Sequence, residues 1–280
     1  SKNVVDNFTQ MYAQGLTPNP CVECNRSVKF DHFITQAKKL NCDKVATGHY
    51  AKIIKKNNEY ELHKADYLDK DQSYVLHMLK SSDLENISFP LGEISKPDVR
   101  QIAARIGLKT AFKKDSQDIC FVGKKDYRSF VEKRIDLTAP GEILDTEGNK
   151  VGDHNGIHEF TVGQRKGLPG GYGTPRYVTK INVQNKNVTI GERNDLLVSS
   201  FIVEELSCVN DLEYKNLTIQ TRYNSEDLPC EIKKLSDTKV LVQLKEPAFG
   251  VAPGQFGVIY NGTKVVCGGR ISPKVLENVG

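Results

Sequence analysis

The sequence predicts an α/β region, then a small all-β region, then a C-terminal antiparallel β-barrel. Three observations carry this. Apolar residues recur at helical spacing in the first 134 residues, the texture changes near Ala139 to short β-branched runs between turn signals, and six strand-like runs follow Leu197. At 280 residues the chain has room for about two domains of ordinary size, and the three textures place boundaries at 1–136, 137–198 and 199–280.

Val4, Val5, Phe8, Met11 and Tyr12 form one helical stripe, which Gly15 and Pro18 stop. A second helix is predicted to start near Val28, with Phe30, Phe33, Ile34, Ala37 and Leu40 on its apolar side. Lys44 to Ile54 reads as a strand broken at Gly48, and Asn57-Asn58 turns the chain back into Tyr60 to Ala65. Asp71-Gln72-Ser73 caps a helix running to Leu79. Ser95 caps another, begun by Pro97, carried by Val99, Ile102, Ala103 and Ile106, and closed by Gly107.

In the central region, Ile143 to Asp145 and Lys150 to Val151 flank the turn Glu147-Gly148-Asn149, and Tyr177 to Val183 pairs with Asn187 to Ile190. Gly163 to Gly173 holds five glycines and reads as a long loop. The last six runs are Phe201 to Leu206, Leu217 to Arg222, Cys230 to Leu235, Lys239 to Leu244, Phe256 to Tyr260 and Lys264 to Arg270. Short connections between them favour closure, which removes exposed strand edges.

Hydrophobic residues make up 38% and charged residues 26%, with a mean hydropathy of -0.45, the signature of a packed chain rather than a disordered one. No window is apolar enough to span a bilayer, and the start shows no secretory pattern, so the cytoplasm is the expected location. The net charge of +4 is unevenly placed. Lys96 to Arg134 carries eleven basic and five acidic residues, a local +6 that suits a polyanion such as nucleic acid as readily as it suits a solvated helix face.

Seven cysteines at irregular spacing do not make a disulfide scaffold, which leaves redox or ligand chemistry. Cys21 and Cys24 form a C-x-x-C behind the stiff Pro18-Asn19-Pro20 turn. A thiol at a helix N-terminus meets the positive end of the dipole, which favours thiolate; structural zinc remains open, although it commonly wants a second pair of ligands. Cys120 is a further candidate, whereas Cys42, Cys208, Cys230 and Cys267 fit apolar patterns where an inert buried thiol is expected. His49 follows Gly48 at a strand end, and the other histidines lack zinc-protease spacing.

Taken in order, Thr17-Pro18-Asn19-Pro20-Cys21-x-x-Cys24-Asn25, Ala46-Thr47-Gly48-His49-Tyr50-Ala51, Lys70-Asp71-Gln72-Ser73-Tyr74 and Asp115-Ser116-Gln117-Asp118-Ile119-Cys120-Phe121 closely resemble the tRNA-specific 2-thiouridylase family. Thr161-Val162-Gly163-Gln164-Arg165-Lys166-Gly167, Thr221-Arg222-Tyr223 and Pro253-Gly254-Gln255 extend the resemblance over essentially the whole chain. It implies that the first region belongs to an adenine nucleotide alpha hydrolase-like PP-loop domain. It also implies an enzyme that uses ATP, with magnesium, to adenylate the C2 oxygen of the wobble uridine in tRNA and then installs sulfur from a cysteine persulfide.

In the terms of that family, Cys24 matches the nucleophile and Cys120 the persulfide bearer, with a transient Cys24–Cys120 disulfide closing the cycle. Asn19, Pro20 and Cys21 match the target-base segment, Gly48 an ATP contact, and His49, Lys70, Asp71, Gln72, Arg222, Tyr223 and Gln255 tRNA contacts. Partners implied are tRNA and a sulfur-donor or persulfide relay protein, with no membrane. Two departures bear on this. The family's Ser-Gly-Gly-Val-Asp-Ser pyrophosphate loop is not in this sequence, so a partial catalytic domain that does not adenylate alone, with apolar surface left open, is expected. Cys21 replaces the acidic residue of some relatives, so Cys21, Cys24 and Cys120 are also a possible iron-sulfur ligand set. A non-enzymatic RNA-binding module with the C-x-x-C as a metal staple is the alternative from another class.

Overall fold

The computed structural model describes residues 2–113, 119–122, 127–135, 139–207 and 215–278. The first helix, α1 (Lys2–Ala13), buries Val4, Phe8, Met11 and Tyr12, and Gly15 at φ 67° ends it. A continuous helical run then starts at Pro20 rather than near Val28. It comprises α2 (Pro20–Glu23), a π-helix over Cys24–Phe30, and α3 (Asp31–Lys39). The physical reason is a start signal read too late: Asn19 is the N-cap and Pro20 sits in the first turn, the position where a missing N–H costs nothing.

The predicted strand over 44–54 is two strands, β1 (Val45–Ala46) and β2 (Lys52–Lys56), separated by the Gly48 segment. Asn57 and Asn58, at φ 48° and 63°, form the two-residue hairpin to β3 (Glu59–His63). The short helices α4 (Ser73–Leu76) and α5 (Ser81–Leu84) lead to β4 (Ile87–Ser88), which pairs parallel with β1. In α6 (Lys96–Arg105) the Ser95 side chain accepts from the Asp98 N–H. At its other end Gly107, at φ 75°, closes a Schellman turn in which Leu108 donates to Ala103 and Gly107 to Ala104. The apolar stripe of α6 faces outward: Ile106 is 66% exposed, and Phe112 beyond it 79%. The helix α7 (Tyr127–Glu132) precedes the β-rich part.

In the centre, β5 (Gly141–Leu144), β6 (Lys150–His154), β7 (Tyr177–Asn182) and β8 (Asn187–Gly191) make a four-stranded sheet in the order β6-β5-β8-β7. The glycine-rich stretch between β6 and β7 holds no strand. The six strands of the last region are β9 (Leu197–Glu204), β10 (Leu217–Gln220), β11 (Leu228–Ser236), β12 (Lys239–Phe249), β13 (Phe256–Asn261) and β14 (Lys264–Asn278). They close antiparallel as β9-β12-β11-β10-β13-β14, with β14 returning to β9. The predicted barrel is therefore present, and several strands run longer than their apolar cores suggested.

Strand β13 is buried from Phe256 to Tyr260 because both of its faces are covered. Ile259 points into the barrel with Val203, Ile219 and Val242. Phe256, Val258 and Tyr260 join Val22, Phe30, Tyr74, Leu76 and Leu84 in a core shared with the first region. A backbone pairing of Lys264 with His63 fastens the β2–β3 hairpin to the barrel sheet. Cys230 and Cys267 are buried in the barrel as expected, and burial pushes the Cys230 thiol up to about 12. Cys42 is exposed instead, because α3 has already ended and Asn41 has turned left-handed; Cys208 lies outside the described residues.

The loop before β13 docks on the turn ahead of α2. Thr17 N–H donates to Pro253 at 2.9 Å, and a Cβ on Gly254, at φ 90°, would sit 2.8 Å from Thr17 N and from Leu16 Cβ. Gly254→Val is expected to cost about 1–3 kcal/mol through strain and lost docking, measurable as a lower denaturant midpoint.

Candidate active site

Asn19 accepts from Cys21 N–H at 3.2 Å, which fixes the first turn of α2 and places Cys21 on its exposed side. Cys24 begins the π-helix and is half-buried. Cys120 is exposed on a short turn, Ile119 to Val122, whose 3.0 Å hydrogen bond from Val122 to Ile119 defines it. That turn is anchored by Phe121, edge-on to Phe8 at 5.3 Å, and by Val122 in a cluster with Phe8, Tyr12 and Val131. Helix α1 thus supports both the C-x-x-C helix and the Cys120 turn.

The three thiols share one electrostatic neighbourhood. Although its surface is open to solvent, partial desolvation by the surrounding atoms raises the Cys21 pKa, the nearby Cys120 and Cys24 raise it further, and Lys29 opposes them. At Cys21 desolvation and the neighbouring sulfurs act against the helix N-terminus, which favours thiolate. Lys29 Nζ also lies 3.5 Å from His49 Nε2, while Thr47 Oγ1 is 2.8 Å from Nδ1. The ring is wedged beside Phe30 and Phe89 at 5.7 and 5.9 Å. Burial, assisted by Lys29, lowers His49 to about 4, so it is neutral at pH 7. Gly48, beside it, is exposed at the carboxyl end of β1, and a Cβ there would touch only Leu91, at 3.6 Å.

Lys29→Met should therefore move two groups in the same direction, raising both Cys21 and His49. Slower alkylation of Cys21 near neutral pH and a higher His49 midpoint by NMR titration are the expected readings.

Residues 1–124 match the tRNA methyl transferase HUP domain, 128–192 the tRNA methyl transferase PRC-barrel domain, and 198–271 the aminomethyltransferase beta-barrel domain. The tRNA-specific 2-thiouridylase MnmA of Chloroflexus aurantiacus is 42% identical over 276 residues, covering 97% of this chain and 77% of the relative. Its namesake from Rickettsia prowazekii is 40% identical over 279 residues, covering 98% and 78%. The chain belongs to the MnmA family. A HUP domain followed by a PRC-barrel and a β-barrel is its architecture, and its place is among tRNA-modifying transferases.

The remaining residues that the MnmA resemblance selects fall into two groups. Asn19, Arg222 and Tyr223 meet around Tyr74, where α2 faces the barrel: burial raises Tyr74, which Arg222 and the Asn19 side chain pull the other way, and the Tyr223 ring lies 6.2 Å from that of Tyr74. Arg222 crosses Gly250, donating to its carbonyl at 2.8 Å, and a Cβ there would collide with the guanidinium. Gln255 donates to Thr17 O at 3.4 Å. Lys70 is half-buried, in a 3-10 turn over Leu68–Lys70.

Asp71 and Gln72 are turned inward. Asp71 accepts from Ala65 N–H at 2.8 Å and Ser73 Oγ at 2.6 Å, and Gln72 Oε1 accepts from Tyr50 N–H at 3.0 Å. In this arrangement the Asp71 carboxylate ties Ala65 to the start of α4, and the Gln72 side chain ties that start to Tyr50. A cleft of about 510 Å3 opens nearby, lined by Lys64, Asp71, Tyr74, Gln220, Tyr223 and Asp227 among others; it adjoins this second group and does not include the cysteines.

Among the described residues, the one His/Cys/Asp/Glu triple with ligand atoms within 4.8 Å of one another is Glu132, His158 and Glu159, which includes no cysteine. The thiols are therefore not drawn together around a single-ion position, whose tetrahedral Zn–S bonds of about 2.3 Å would demand closer sulfurs. Residues 115–118 of the Cys120 motif, and part of the basic 96–134 stretch, lie outside the described residues. No described helix is long and apolar enough to cross a membrane.

Sequence reasoning missed Lys29, Tyr74, Glu23 and Arg270. For Lys29 the only signal was its charge, a cation eight residues after Cys21 in the same helical run.

Proposed function

We propose that this protein installs sulfur at C2 of the wobble uridine of tRNA, with Cys24 and Cys120 as its working thiols. The observation that supports this reading is that helix α1 holds both the C-x-x-C helix and the Cys120 turn, nearly a hundred residues apart in sequence, with Cys120 also among the groups that act on the Cys21 thiol. ATP supplies AMP to the C2 oxygen, turning a poor leaving group into a good one, and the open backbone at Gly48 is where the nucleotide would approach.

The terminal sulfur of a Cys120 persulfide attacks C2 and AMP departs, leaving C2 joined to Cys120 through two sulfurs. The Cys24 thiolate then attacks the Cys120 sulfur. The C2–S unit is released as thiouridine, a Cys24–Cys120 disulfide forms, and an external dithiol reduces it. Asn19, Pro20 and Cys21 enclose the extruded base, His49 contacts tRNA as a neutral ring, and Arg222, Tyr223, Lys70 and Gln255 line its approach, with Asp71 and Gln72 shaping the loop beneath. Lys29 is the cation beside Cys21. Domain limits of 1–136, 137–198 and 199–280 would then separate chemistry from two β-rich tRNA-holding parts.

The experiment is persulfide mapping: after exposure to a cysteine desulfurase and its sulfur donor, peptide mass spectrometry should find the extra sulfur on Cys120. Its appearance on Cys42 or on no cysteine would defeat the assignment. The same three-thiol neighbourhood supports a second reading, an iron-sulfur cluster on Cys21, Cys24 and Cys120, for which three thiolates would leave one iron open to sulfide. Iron and labile sulfide in anaerobically prepared protein, lost when Cys21 is replaced, would favour it.

A further inference from the structure

Arg270 lies on β14, far in sequence from the cysteines, yet its guanidinium ends among the elements that carry them. Nη2 donates to Glu23 Oε1 at 3.2 Å, Nη1 approaches Met11 Sδ at 3.0 Å and the Gly254 carbonyl at 3.4 Å, and Nε reaches Glu205 Oε2 at 3.4 Å. The charged group also lies over the Phe256 ring, 5.0 Å from its centroid. Its side chain is 11% exposed and that of Glu23 17%, so the pair is largely shielded from water and from salt.

Glu23 stands between Cys21 and Cys24 in α2, one residue before the π-helix. One arginine therefore joins the barrel wall, helix α1, the Gly254 loop and the C-x-x-C turn. The fork geometry of a guanidinium is what permits several fixed partners at once; an ammonium is a point charge and holds fewer. Such a contact exceeds what packing two domains requires, since the shared apolar core already joins them.

We propose that Arg270 is a positioning residue, which acts through Glu23 to hold the C-x-x-C turn in register with the Cys120 turn and so ties thiol geometry to the barrel. The consequence for thiolation rests on the function proposed above, but the structural link is measured without it. Helix α1 is part of the device, because Met11 meets Arg270 while Phe8, one turn earlier, meets Phe121.

The test is peptide-resolved alkylation of Cys21, Cys24 and Cys120 in the folded protein, across a pH series, for wild type, Glu23→Gln, Arg270→Met, the double variant and Arg270→Lys. Thermal melting is run on each. Expected is a change of about threefold or more in the Cys24 to Cys120 labelling ratio in Glu23→Gln, near the low end of the coupling that contacting residues show. Arg270→Met should give the same change, the double variant no more than either single one, and Arg270→Lys partial recovery.

An unchanged ratio in Glu23→Gln, or effects of the two single variants that simply multiply, overturns the proposal. Should Arg270→Met not fold, the Glu23→Gln result still decides. Parallel tRNA binding by wild type separates the two ideas. No tRNA binding would remove the proposed function, while a ratio that still shifts in Glu23→Gln would keep the Arg270–Glu23 link.

Discussion

Replacing Cys24 or Cys120 by serine is expected to lower uridine thiolation on the order of a thousandfold or more, the scale seen when a nucleophile is removed from a set that acts as a unit. tRNA affinity should hold, because neither side chain is placed to grip the polyanion: Cys24 is half-buried and Cys120 sits on its own turn. An exposed Cys120→Ser change should alter stability by no more than about 0.5 kcal/mol, so a loss of activity will not be a loss of fold. Cys21→Ser discriminates between the two mechanisms. If Cys21 only encloses the base, the rate should fall about tenfold, the loss of a modest positioning contact; if it ligates a cluster, the loss should match that of the other two. Thiouridine measured by mass spectrometry of digested tRNA reads all three, and full activity in Cys24→Ser would end the relay scheme.

The largest expected effect on stability is from Phe256→Ala. Phe256 is 1% exposed and belongs to the core that the first region shares with the barrel. Its backbone carbonyl accepts from the Tyr74 hydroxyl at 2.9 Å, and its ring lies 5.1 Å from that of the fully buried His77. Removing such a ring costs about 3–5 kcal/mol from lost transfer energy and the cavity left behind. A drop in melting temperature on the order of 10 °C should result in a chain of this size. The comparison is Leu235→Ala, at 48% exposure, which should leave the midpoint almost unmoved. Equal losses from both would mean that the shared core does not bear the load assigned to it.

How much of the structure was legible in the sequence depends on the range of the forces involved. The barrel was readable because alternation of side chains is local, and the Ser95 cap and the Gly107 turn were readable because each is a few residues wide. The start of the C-x-x-C helix was misplaced because a π-helix breaks the ordinary periodicity between Cys24 and Phe30. Helix α6 marks the limit of such patterns: Val99, Ile102 and Ile106 form a correct stripe, but periodicity says only that a face is apolar and not that it is covered. At the candidate site the residue types of Cys24, Cys120 and His49 could be singled out in advance. Arg270, Glu23 and Tyr74 could not, since their meaning comes from contacts that span up to 247 positions and no local pattern encodes them.

The π-helix between Cys24 and Phe30 has a mechanical corollary. At 3.6 residues per turn, one residue corresponds to about 100° of helical rotation, so a wide turn acts as a phase shifter between the helical segments on its two sides. Rewinding the same residues as ordinary helix, with none removed, would add about that rotation. With α3 and the aromatic contacts of Phe30 as the fixed end, the sulfur-bearing end would swing through roughly a quarter revolution. Composition would not change, yet the two thiols would address a different compass bearing from the cation that now accompanies them.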